Sequence, residues 1–415
     1  MAKSPQDPNL KELILKRLKE RSAELNIGSS NISDAHFRRR LEAIFRAVLK
    51  ENRIYLSASE QEEIFSDIMS QVVGFGPIDS LLRNPEISEV MVNGPDQIFI
   101  ERNGILELTD LHFESEEHLG YFIDKMLSPL GRRVTEFEPY VDARLTDGAR
   151  VNVVRSPISS TGTLLTIRKF PHRILNINDL IRLGSLDEVT AEFLKACVVA
   201  RLNILLSGGA SSGKTTLLNA LSAFIPKRER VIVIEDTREL NLPREHTVYL
   251  ESRPPNIEGR GEITIRNLVK NSLHMRPDRV IIGEVRSDEV LDMIQAMNTG
   301  HEGSMTTLHA NSPLETLERL EVLALMGSLN MSSDVARRQI ISAIDLIVNT
   351  VRFPNGSRKI VQISEVLKGR DYQLEDIFVM DEASGVVKPT GKMPKFYLKL
   401  KQQANYIFRE INQEG

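Results

Sequence analysis

The segment that most constrains the fold is GGASSGKT at residues 208–215, which fits the phosphate-loop pattern of Gly, four residues, Gly, Lys and Ser or Thr. It directly follows the apolar run NILLS and precedes the helical run TTLLNALSAF, so the sequence predicts a strand, a loop and a helix in that order. In such a loop, backbone N–H groups and the helix N-terminus present positive dipole ends to phosphate oxygens. The segment therefore predicts an α/β domain that binds phosphate.

The side chains of this loop predict ATP and Mg²⁺ as ligands. Lys214 would reach the β- and γ-phosphates, and the Thr215 hydroxyl would complete the coordination shell of the metal. The predicted nucleotide-binding residues are Gly208, Ser211, Ser212, Gly213, Lys214, Thr215 and Thr216. Hydrolysis needs more than binding, because one group must orient the attacking water and another must hold the metal.

Two glutamates follow apolar runs that predict strands. Glu235 follows VIVI and Glu284 follows VIIG, and ligands of open α/β sheets gather at the C-terminal strand ends. Both carboxylates are therefore candidates to face the γ-phosphate, and the alternative is that they are surface acids in turns. Gly283 occupies the place where a metal-binding aspartate is usually expected, so we expect Glu284 to contact Mg²⁺ through water.

The segment TGHEGSMTTLHAN contains His301 and His309, which lie eight residues apart. This is not a usual spacing for metal ligands, and the chain has only one cysteine, Cys197, to assist them. Two interpretations stay open for each histidine. One is a structural role, and the other is a side chain that senses the phosphate end and passes its state along a strand.

Hydrophobic periodicity and turn signals divide the chain into three domains and a linker. Residues 1–74 predict a helical domain, because apolar residues recur there at helical spacing. Residues 75–172 predict an antiparallel sheet, because short β-rich runs are joined by Asn-Gly and Asp-Gly pairs. Residues 173–186 are predicted as a linker, and residues 187–415 alternate apolar β-branched runs with helices, which predicts a largely parallel, doubly wound sheet.

The first domain is expected to hold three amphipathic helices. Their apolar residues recur within residues 10–18, 37–48 and 64–72. Ser57 followed by Glu60 predicts a capping box at the start of the third helix.

Composition narrows the class of protein further. A single cysteine permits neither an internal disulfide nor a cysteine-based zinc site, and it fits a reducing compartment. The sequence has no apolar run long enough to span a membrane and no secretory signal at its start, so we expect a cytoplasmic protein that meets the inner membrane only through partners. The net charge of −4 argues against direct nucleic-acid binding.

Four motifs together resemble the type II and type IV secretion ATPase superfamily. GGASSGKTT, VIVIEDTREL, RVIIGEVR and TGHEGSMTTLHAN look like its Walker A, aspartate, Walker B and histidine boxes, in the family's order. Upstream, GFGPIDSLLRNPEISEVMVNGPDQIFIERNG and PYVDARLTDGARVNVVRSP resemble the CpaF-like branch, the motors of tight-adherence (Flp) pili. The resemblance covers about residues 70–370.

This resemblance implies a fold, an assembly and residue roles. It implies an α/β, RecA-like P-loop ATPase domain preceded by a PAS-like α+β domain and an N-terminal helical bundle. It implies a homohexamer that acts on an inner-membrane platform protein and couples ATP hydrolysis to pilus assembly or retraction. Glu235 would be the catalytic base and Glu284 the Walker B acid. Arg155 and Arg168 would contact nucleotide phosphates, with Arg144 a further candidate. Because Arg155 and Arg168 flank a turn that contains Ser, Pro and Gly, we expect them to project from adjacent strands toward the same spot.

Four alternatives to a pilus motor remain at this stage. A type IV secretion traffic ATPase is the nearest, and archaellum motors are also similar. A nucleic-acid translocase on the same fold is disfavoured by 5% aromatic residues, the absence of Trp and the negative net charge. A nucleotide-gated assembly protein without turnover is disfavoured by Glu235 and Glu284.

Overall fold

The computed structural model describes residues 34–52, 54–72, 74–102, 104–170, 175–253, 255, 260–327, 331–381 and 383–407. The chain divides into two compact units, residues 1–170 and residues 171–415. Among the described residues, the first unit contains four α-helices and an antiparallel sheet, and the second contains a nine-stranded mixed sheet with helices on both faces.

The first unit begins with helices α1 (Asp34–Glu51) and α2 (Ala58–Val72). Their apolar faces form one small core, in which Leu41 and Phe45 of α1 meet Phe65 of α2. The predicted capping box is confirmed, because the Ser57 N–H donates to Glu60 Oε2 at 2.6 Å and the Glu60 N–H donates to Ser57 Oγ at 3.3 Å. The helix predicted within residues 10–18 lies outside the described residues.

Six antiparallel strands in the order β3-β2-β1-β6-β5-β4 form the sheet of the first unit. The strands are β1 (Ile87–Asn93), β2 (Ile98–Arg102), β3 (Ile105–Leu108), β4 (Tyr140–Arg144), β5 (Arg150–Val154) and β6 (Leu164–Arg168), and the helices are α3 (Asp79–Arg83) and α4 (Glu116–Leu127). Alternate strand residues such as Val90, Val153 and Ile167 point into a core that also holds Phe122 of α4. This period-2 burial is the physical basis of the predicted strands.

Nine strands form the sheet of the second unit, in the order β15-β14-β13-β12-β7-β11-β10-β8-β9. They are β7 (Ile204–Gly208), β8 (Val231–Glu235), β9 (Thr247–Glu251), β10 (Arg279–Ile282), β11 (Met305–Leu308), β12 (Leu346–Arg352), β13 (Arg358–Val366), β14 (Leu374–Asp381) and β15 (Val386–Pro389). The strands from β12 to β9 in this order pair in parallel, whereas β13, β14 and β15 are added antiparallel.

Helices cover both faces of this second sheet, and each parallel strand divides its side chains between them. Leu206 of β7 belongs to the core on one face, and Leu205 belongs to the core on the other. The helices are α5 (Ile177–Arg182), α6 (Glu188–Val199), α7 (Lys214–Ser222), α8 (Ile265–Ser272), α9 (Glu289–Asn298), α10 (Pro313–Met326), α11 (Ser333–Ala343) and α12 (Tyr397–Ala404). Burial on both faces explains why these strands are continuous apolar runs in the sequence.

Residues 175–186, which belong to the predicted linker, are part of the second unit. Asn176 caps α5 reciprocally with Asp179, and Leu180 and Leu186 enter the same core as Phe193 of α6. The domain boundaries drawn from the sequence stay a prediction.

The predicted fold class is confirmed: a RecA-like α/β domain follows a PAS-like α+β domain and N-terminal helices. In the ranges given above, no helix is both long and apolar enough to cross a membrane.

Candidate functional site

Four parallel strands deliver candidate residues to one edge of the second sheet. The phosphate loop starts at Gly208 at the end of β7, and Glu235 is the last residue of β8. Glu284 follows β10 by two residues, and His309 follows β11 directly. Because these strands are parallel and in register, their C-terminal ends meet at the same edge. The structure therefore brings the loop, both glutamates and His309 together.

The loop is closed by a tight contact with the neighbouring strand β12. Gly208 has φ +151°, and a Cβ atom there would lie 2.3 Å from Thr350 O. Thr350 Oγ1 lies 2.9 Å from Ser212 Oγ and donates to Ser207 O at 3.1 Å. Only glycine fits position 208, because any side chain would collide with β12.

Lys214 is nearly buried and folds back over its own loop. Its Nζ donates to Gly208 O at 2.9 Å and to Gly209 O at 2.7 Å, and it lies 3.4 Å from His309 Nδ1. The ammonium group is thus held at the mouth of the loop, where an anion would find positive charge beside backbone N–H groups.

Arg358 on β13 holds the other side of the loop. Its Nε donates to Ser211 O at 2.8 Å, and its aliphatic stem lies beside Gly213. Ser211 adopts a left-handed backbone with φ +54°. The hairpin of β12 and β13 therefore contacts the loop at two places, through Thr350 and Arg358.

Glu235 is 5% exposed and is held by backbone donors. The Glu239 N–H donates to Oε1 at 3.0 Å, and the Leu240 N–H donates to the same oxygen at 3.1 Å. Burial raises the pKa of this carboxyl to about 7, although the two backbone hydrogen bonds oppose that rise. A carboxyl with a pKa near neutrality can accept a proton at working pH.

Glu284 lies in a cluster of charged groups next to His309. Its Oε1 is 2.8 Å from His309 Nε2, and its Oε2 accepts a hydrogen bond from Arg286. Arg286 also lies 3.8 Å from Asp236 Oδ2. Burial, assisted by the positive charge of Lys214, lowers the pKa of His309 below its ordinary value, so the imidazole is neutral at physiological pH.

His301 is not brought to the phosphate loop. It precedes β11, whereas His309 follows it, so the two histidines lie beyond opposite ends of that strand. The His301 carbonyl accepts a hydrogen bond from Ser304 Oγ at 2.8 Å, and the Ser304 N–H donates to Asn203 at the start of β7. Of the two predicted histidines, only His309 is placed to contact a ligand of the loop.

The expected convergence of Arg155 and Arg168 is wrong. Strands β5 and β6 pair so that Val154 faces Leu164 and Arg150 faces Arg168, which puts the two arginines at opposite ends of one hairpin. Along the strand direction, Arg155 and Arg168 are therefore about five residues, or roughly 16 Å, apart. Arg155 lies instead against α4, where its NH1 is 3.9 Å from Asp124 Oδ1.

The same register forms a row of arginines across three strands. Arg144 of β4 faces Arg150 of β5, which in turn faces Arg168 of β6. Directly opposite residues share one face of a sheet, with Cβ atoms about 4.5–5.5 Å apart. Sequence reasoning missed Arg150, and only the hairpin register could have shown it.

Thr350, Arg286 and Arg358 were also missed. Thr350 and Arg358 contact the phosphate loop, although 138 and 147 residues separate them from their partners. Arg286 had a usable signal, because it follows Glu284 by two residues within the RVIIGEVR motif.

The residues at this edge fit ATP and a divalent cation. The loop combines positive-φ glycines, a lysine ammonium and the N-terminus of α7, which is the donor set that phosphate requires. Glu284 Oε1 is buried and lies 2.8 Å from His309 Nε2 without forming an aligned hydrogen bond with the described residues, so a water or a metal would compete with His309 for this oxygen. Thr215 lies in the first turn of α7.

A family model and several relatives among known proteins match this chain over most of its length. A family model described as type II/IV secretion system protein matches residues 71–375. A putative conjugal transfer protein of Mycobacterium tuberculosis is 32% identical over 325 residues, which cover 77% of this chain and 92% of that protein. The probable conjugal transfer protein TrbB of Sinorhizobium fredii is 30% identical over 309 residues, covering 72% and 90%.

A further relative and two solved structures extend this comparison. The type IV secretion system protein PtlH of Bordetella pertussis is 33% identical over 301 residues, covering 64% of this chain and 86% of that protein. The ATPase DotB of Yersinia pseudotuberculosis matches with a TM-score of 0.51 at 17% identity, covering 69% of this chain and 77% of that one. DotB of Legionella pneumophila matches with a TM-score of 0.50 at 20% identity, covering 74% and 81%. The two structures share the fold.

Proposed function

We propose that this chain, which belongs to the type II/IV secretion system protein family, binds ATP at residues 208–216 and hydrolyses it to drive a type IV secretion or conjugal-transfer machine. The observation that carries this proposal is the meeting of the phosphate loop, Glu235, Glu284 and His309 at one edge of the sheet. The printed names of the relatives support the class of machine, because they are conjugal transfer and type IV secretion proteins.

A tight-adherence pilus motor is the second candidate. Its support is the resemblance of GFGPIDSLLRNPEISEVMVNGPDQIFIERNG and PYVDARLTDGARVNVVRSP to the CpaF-like branch. We place it second because the named relatives point to secretion and conjugal transfer. Both candidates use the same hydrolytic site.

Phosphate binding would rearrange Lys214. Its ammonium group now donates to two carbonyl oxygens of the loop, and these contacts would be exchanged for phosphate oxygens. A hydrogen bond from a charged donor in a site this dry contributes about 1.5–3 kcal/mol. Gly208, Ser211, Ser212, Gly213, Thr215 and Thr216 would supply the remaining contacts of the loop and of the first helical turn.

Glu235 is the residue we assign as general base. The N–H groups of Glu239 and Leu240 donate to its carboxylate. Because these donors belong to the backbone, they hold the carboxylate in one position. Its pKa of about 7 matches the pH at which it would accept a proton from the attacking water.

Thr215 and, through water, Glu284 would hold Mg²⁺, which would neutralise charge on the phosphate oxygens. The role we assign to His309 is to link Lys214 to Glu284, because it lies within 3.4 Å of the first and 2.8 Å of the second. A neutral imidazole has one nitrogen that donates and one that accepts, so a movement of Lys214 or of Glu284 would change its contact with the other. The role of His301 stays a prediction, and its place in the fold favours a structural one.

The arginines of the first unit are proposed as phosphate contacts. A planar guanidinium binds phosphate bidentately and stays charged at any working pH. The row of Arg144, Arg150 and Arg168 concentrates three such groups on one sheet face, and Arg155 remains a separate candidate at the other end of the hairpin.

Assembly and cellular place are further parts of the proposal. We propose a homohexamer that transmits motion to an inner-membrane platform protein, in the cytoplasm and without direct nucleic-acid binding. The family membership supports such an assembly, and the negative net charge supports the absence of nucleic-acid contacts.

Steady-state phosphate release from ATP by the purified full chain tests the hydrolytic function. We expect turnover that depends on Mg²⁺ and is abolished by Lys214→Ala. Lys227→Ala is the matched control, because Lys227 is exposed and lies outside the loop. Release that is unaffected by Lys214→Ala would contradict the proposal, and a rise of at least tenfold with single-stranded DNA would favour a translocase.

A further inference from the structure

The edge of the second sheet that lies opposite the phosphate loop is rich in arginine. Strands β7, β8, β9 and β10 run parallel, so their N-terminal ends meet at that edge. In each of these four strands an arginine stands three residues before the first strand residue: Arg201, Arg228, Arg244 and Arg276. Together with Arg230 and Arg279 they form what we call the arginine edge.

Carboxylates are fewer at this edge, and two of the three are already bound inside the protein. Glu229 is 6% exposed, and its Oε2 accepts a hydrogen bond from the fully buried Arg279 Nε at 2.5 Å. Asp278 Oδ2 accepts the Arg230 N–H at 2.7 Å. In residues 226–230, 244–246 and 276–279, Glu245 is the one exposed carboxylate. Much of the positive charge at the surface of the arginine edge is therefore not neutralised.

Hydrogen bonds to backbone carbonyls hold the arginine edge in shape. Arg244 donates to three carbonyl oxygens within residues 225–229, at 2.6–3.2 Å, which fixes the turn that carries Arg228. Arg201 NH2 donates to Asp278 O at 2.7 Å, which joins the segment before β7 to the segment before β10. The arginine edge is thus a built surface whose backbone has one arrangement.

Arg228 and Arg276 are the two guanidinium groups most available to a ligand. Both side chains are exposed, and neither forms an ion pair with a residue that the structure describes. Their strands are neighbours in which Arg279 pairs with Val231, so both arginines precede the same level of the sheet by three residues. Two guanidinium groups on adjacent strands can each bind a carboxylate bidentately.

The width of the arginine edge gives the length of chain that would cover it. From β9 through β8, β10 and β11 to β7 there are four steps between neighbouring strands, or about 19 Å at about 4.8 Å a step. An extended chain advances about 3.3 Å per residue, so roughly six residues cross the whole edge.

From this arrangement we infer that the arginine edge binds a short acidic segment of a partner protein, about six residues long and extended. The site is separate from the phosphate loop, and the inference stands without ATP hydrolysis. Electrostatic complementarity of this kind selects a partner and speeds its association more than it adds affinity.

The sequence of the arginine edge disfavours the two other polyanions, nucleic acid and an anionic membrane. Residues 226–230, 244–246 and 276–279 contain no Phe, Tyr or Trp to stack on bases, and apart from proline no apolar residue to enter a bilayer. The chain has a net charge of −4 even with these arginines, so a polyanion that extends past the edge meets a surface that is on balance negative. A short acidic segment stays within the edge.

Binding of fluorescein-labelled hexaglutamate to the full chain, measured by fluorescence anisotropy in 50 mM NaCl without nucleotide, tests this inference. The variants are Arg228→Glu and Arg276→Glu. Arg133→Glu is the matched control, because it makes the same charge change at an exposed arginine of the first unit. Hexaglutamine reports binding that does not depend on charge, and thermal unfolding shows that each variant is folded.

We expect the Kd for hexaglutamate to rise at least fivefold in Arg228→Glu and in Arg276→Glu and to stay within twofold of wild type in Arg133→Glu. Equal losses in all three variants would attribute binding to net charge alone and overturn the inference. It would also be overturned if wild type bound hexaglutamate no better than hexaglutamine. Tighter binding of oligothymidylate or of phosphatidylglycerol vesicles than of hexaglutamate, lost in the same two variants, would assign the edge to nucleic acid or membrane instead.

Photocrosslinking of the wild-type chain decides the question without any variant. The probe is hexaglutamate that ends in a benzophenone group, and mass spectrometry locates the crosslinks. We expect crosslinks within residues 224–230, 244–249 or 273–279, with protection by excess unlabelled hexaglutamate. Crosslinks confined to other parts of the chain would overturn the inference even if both variants failed to fold.

Discussion

Glu235 lies against Gly283, so closely that a Cβ atom on the glycine would be 2.7 Å from Cγ of the glutamate. The two residues occupy neighbouring parallel strand ends, and the Gly283 N–H donates to Ile234 O at 2.9 Å. The position where related motifs carry an aspartate thus lies too close to Glu235 for a side chain, unless Glu235 moves. A side chain at position 283 would displace the candidate base.

Gly283→Ala should therefore impair hydrolysis more than binding. We expect turnover to fall at least roughly tenfold, a barrier increase of about 1.4 kcal/mol, because Glu235 has to move to admit the methyl group. The Kd for ATP should stay within about threefold, as the phosphate loop is untouched. Phosphate release and nucleotide titration measure the two quantities. Gly369→Ala is the control, because a Cβ atom there meets nothing closer than 3.8 Å. Wild-type turnover in Gly283→Ala would contradict this account.

Glu284→Gln should separate binding from hydrolysis. The amide keeps the shape of the side chain and removes the charge that faces His309 and Arg286. We expect nucleotide affinity close to wild type and phosphate release lowered at least about 100-fold, or about 2.7 kcal/mol. Glu318→Gln, an exposed glutamate on α10, is the control. Turnover at the wild-type rate would remove Glu284 from the proposed machinery.

The pH profile of turnover should report the ionisation of Glu235. A general base acts when it is deprotonated, so kcat should rise with pH and reach half of its maximum near pH 7. The pKa of His309 is lowered, so its titration belongs below this rise. Measurement of kcat from pH 5.5 to 8.5 checks the expectation. A profile that is flat across this range would indicate a base with an ordinary carboxyl pKa.

Glu235→Gln should stabilise the protein while it abolishes turnover. The pKa of the folded-state carboxyl is raised from 4.5 to about 7, so between these values the folded chain binds more protons than the unfolded chain. The free energy of unfolding therefore falls as pH rises through this window, by up to about 3 kcal/mol. Glutamine at position 235 does not ionise, so the free energy of unfolding of the variant does not fall in this window for that reason.

Thermal unfolding at pH 5 and pH 8 measures that difference. We expect the midpoint of Glu235→Gln to exceed that of wild type by several degrees at pH 8, since about 1 kcal/mol shifts a unit of this size by 2–4 °C. At pH 5 the two midpoints should nearly coincide. Glu192→Gln, on the exposed face of α6, should show no such pH dependence. An equal shift at both pH values would point to packing instead of ionisation.

Arg168→Ala and Arg155→Ala should differ in their effect on turnover. Arg168 belongs to the row with Arg144 and Arg150, whereas Arg155 lies against α4 near Asp124. We expect at least a tenfold loss of kcat, about 1.4 kcal/mol, for Arg168→Ala and less than threefold for Arg155→Ala. The Kd for ATP should rise in Arg168→Ala, because this guanidinium is proposed to contact the phosphates, and should stay close to wild type in Arg155→Ala. Equal losses would show that the hairpin register does not determine which arginine acts.

Local sequence signals predicted most of the strands that build the site. NILLS, VIVIE, RVIIGE, SMTTLHA and DLIVNTVRF correspond to β7, β8, β10, β11 and β12, because strands buried on both faces are short apolar runs. The partners of each strand were not predictable in this way. Thr350 sits at the end of β12, and nothing in its neighbourhood in the sequence indicates a contact with Ser212.

The arginines of the first unit also show that local sequence predicts strands but not which residues of neighbouring strands meet. Short β-rich runs predicted the sheet formed by β1 to β6, yet Arg155 and Arg168, which flank the turn between β5 and β6, were expected to meet. In an antiparallel hairpin, residues equally distant from the turn meet, and Arg155 is next to the turn while Arg168 is at the far end. Register, which depends on turn length and on the buried face, decides such contacts.

The contact between Ser212 and Thr350 also sets an order of events during synthesis. The two hydroxyl groups are 138 residues apart in the chain, and a ribosome that adds about 5–20 residues per second needs roughly 7–28 s to make that length. Every motif of the site emerges before Thr350 does. Until β12 has been made and has paired with β7, a nascent chain contains the complete phosphate-loop sequence without the strand that closes it. We therefore expect a nascent chain to retain a nucleotide only after residue 350 has been added.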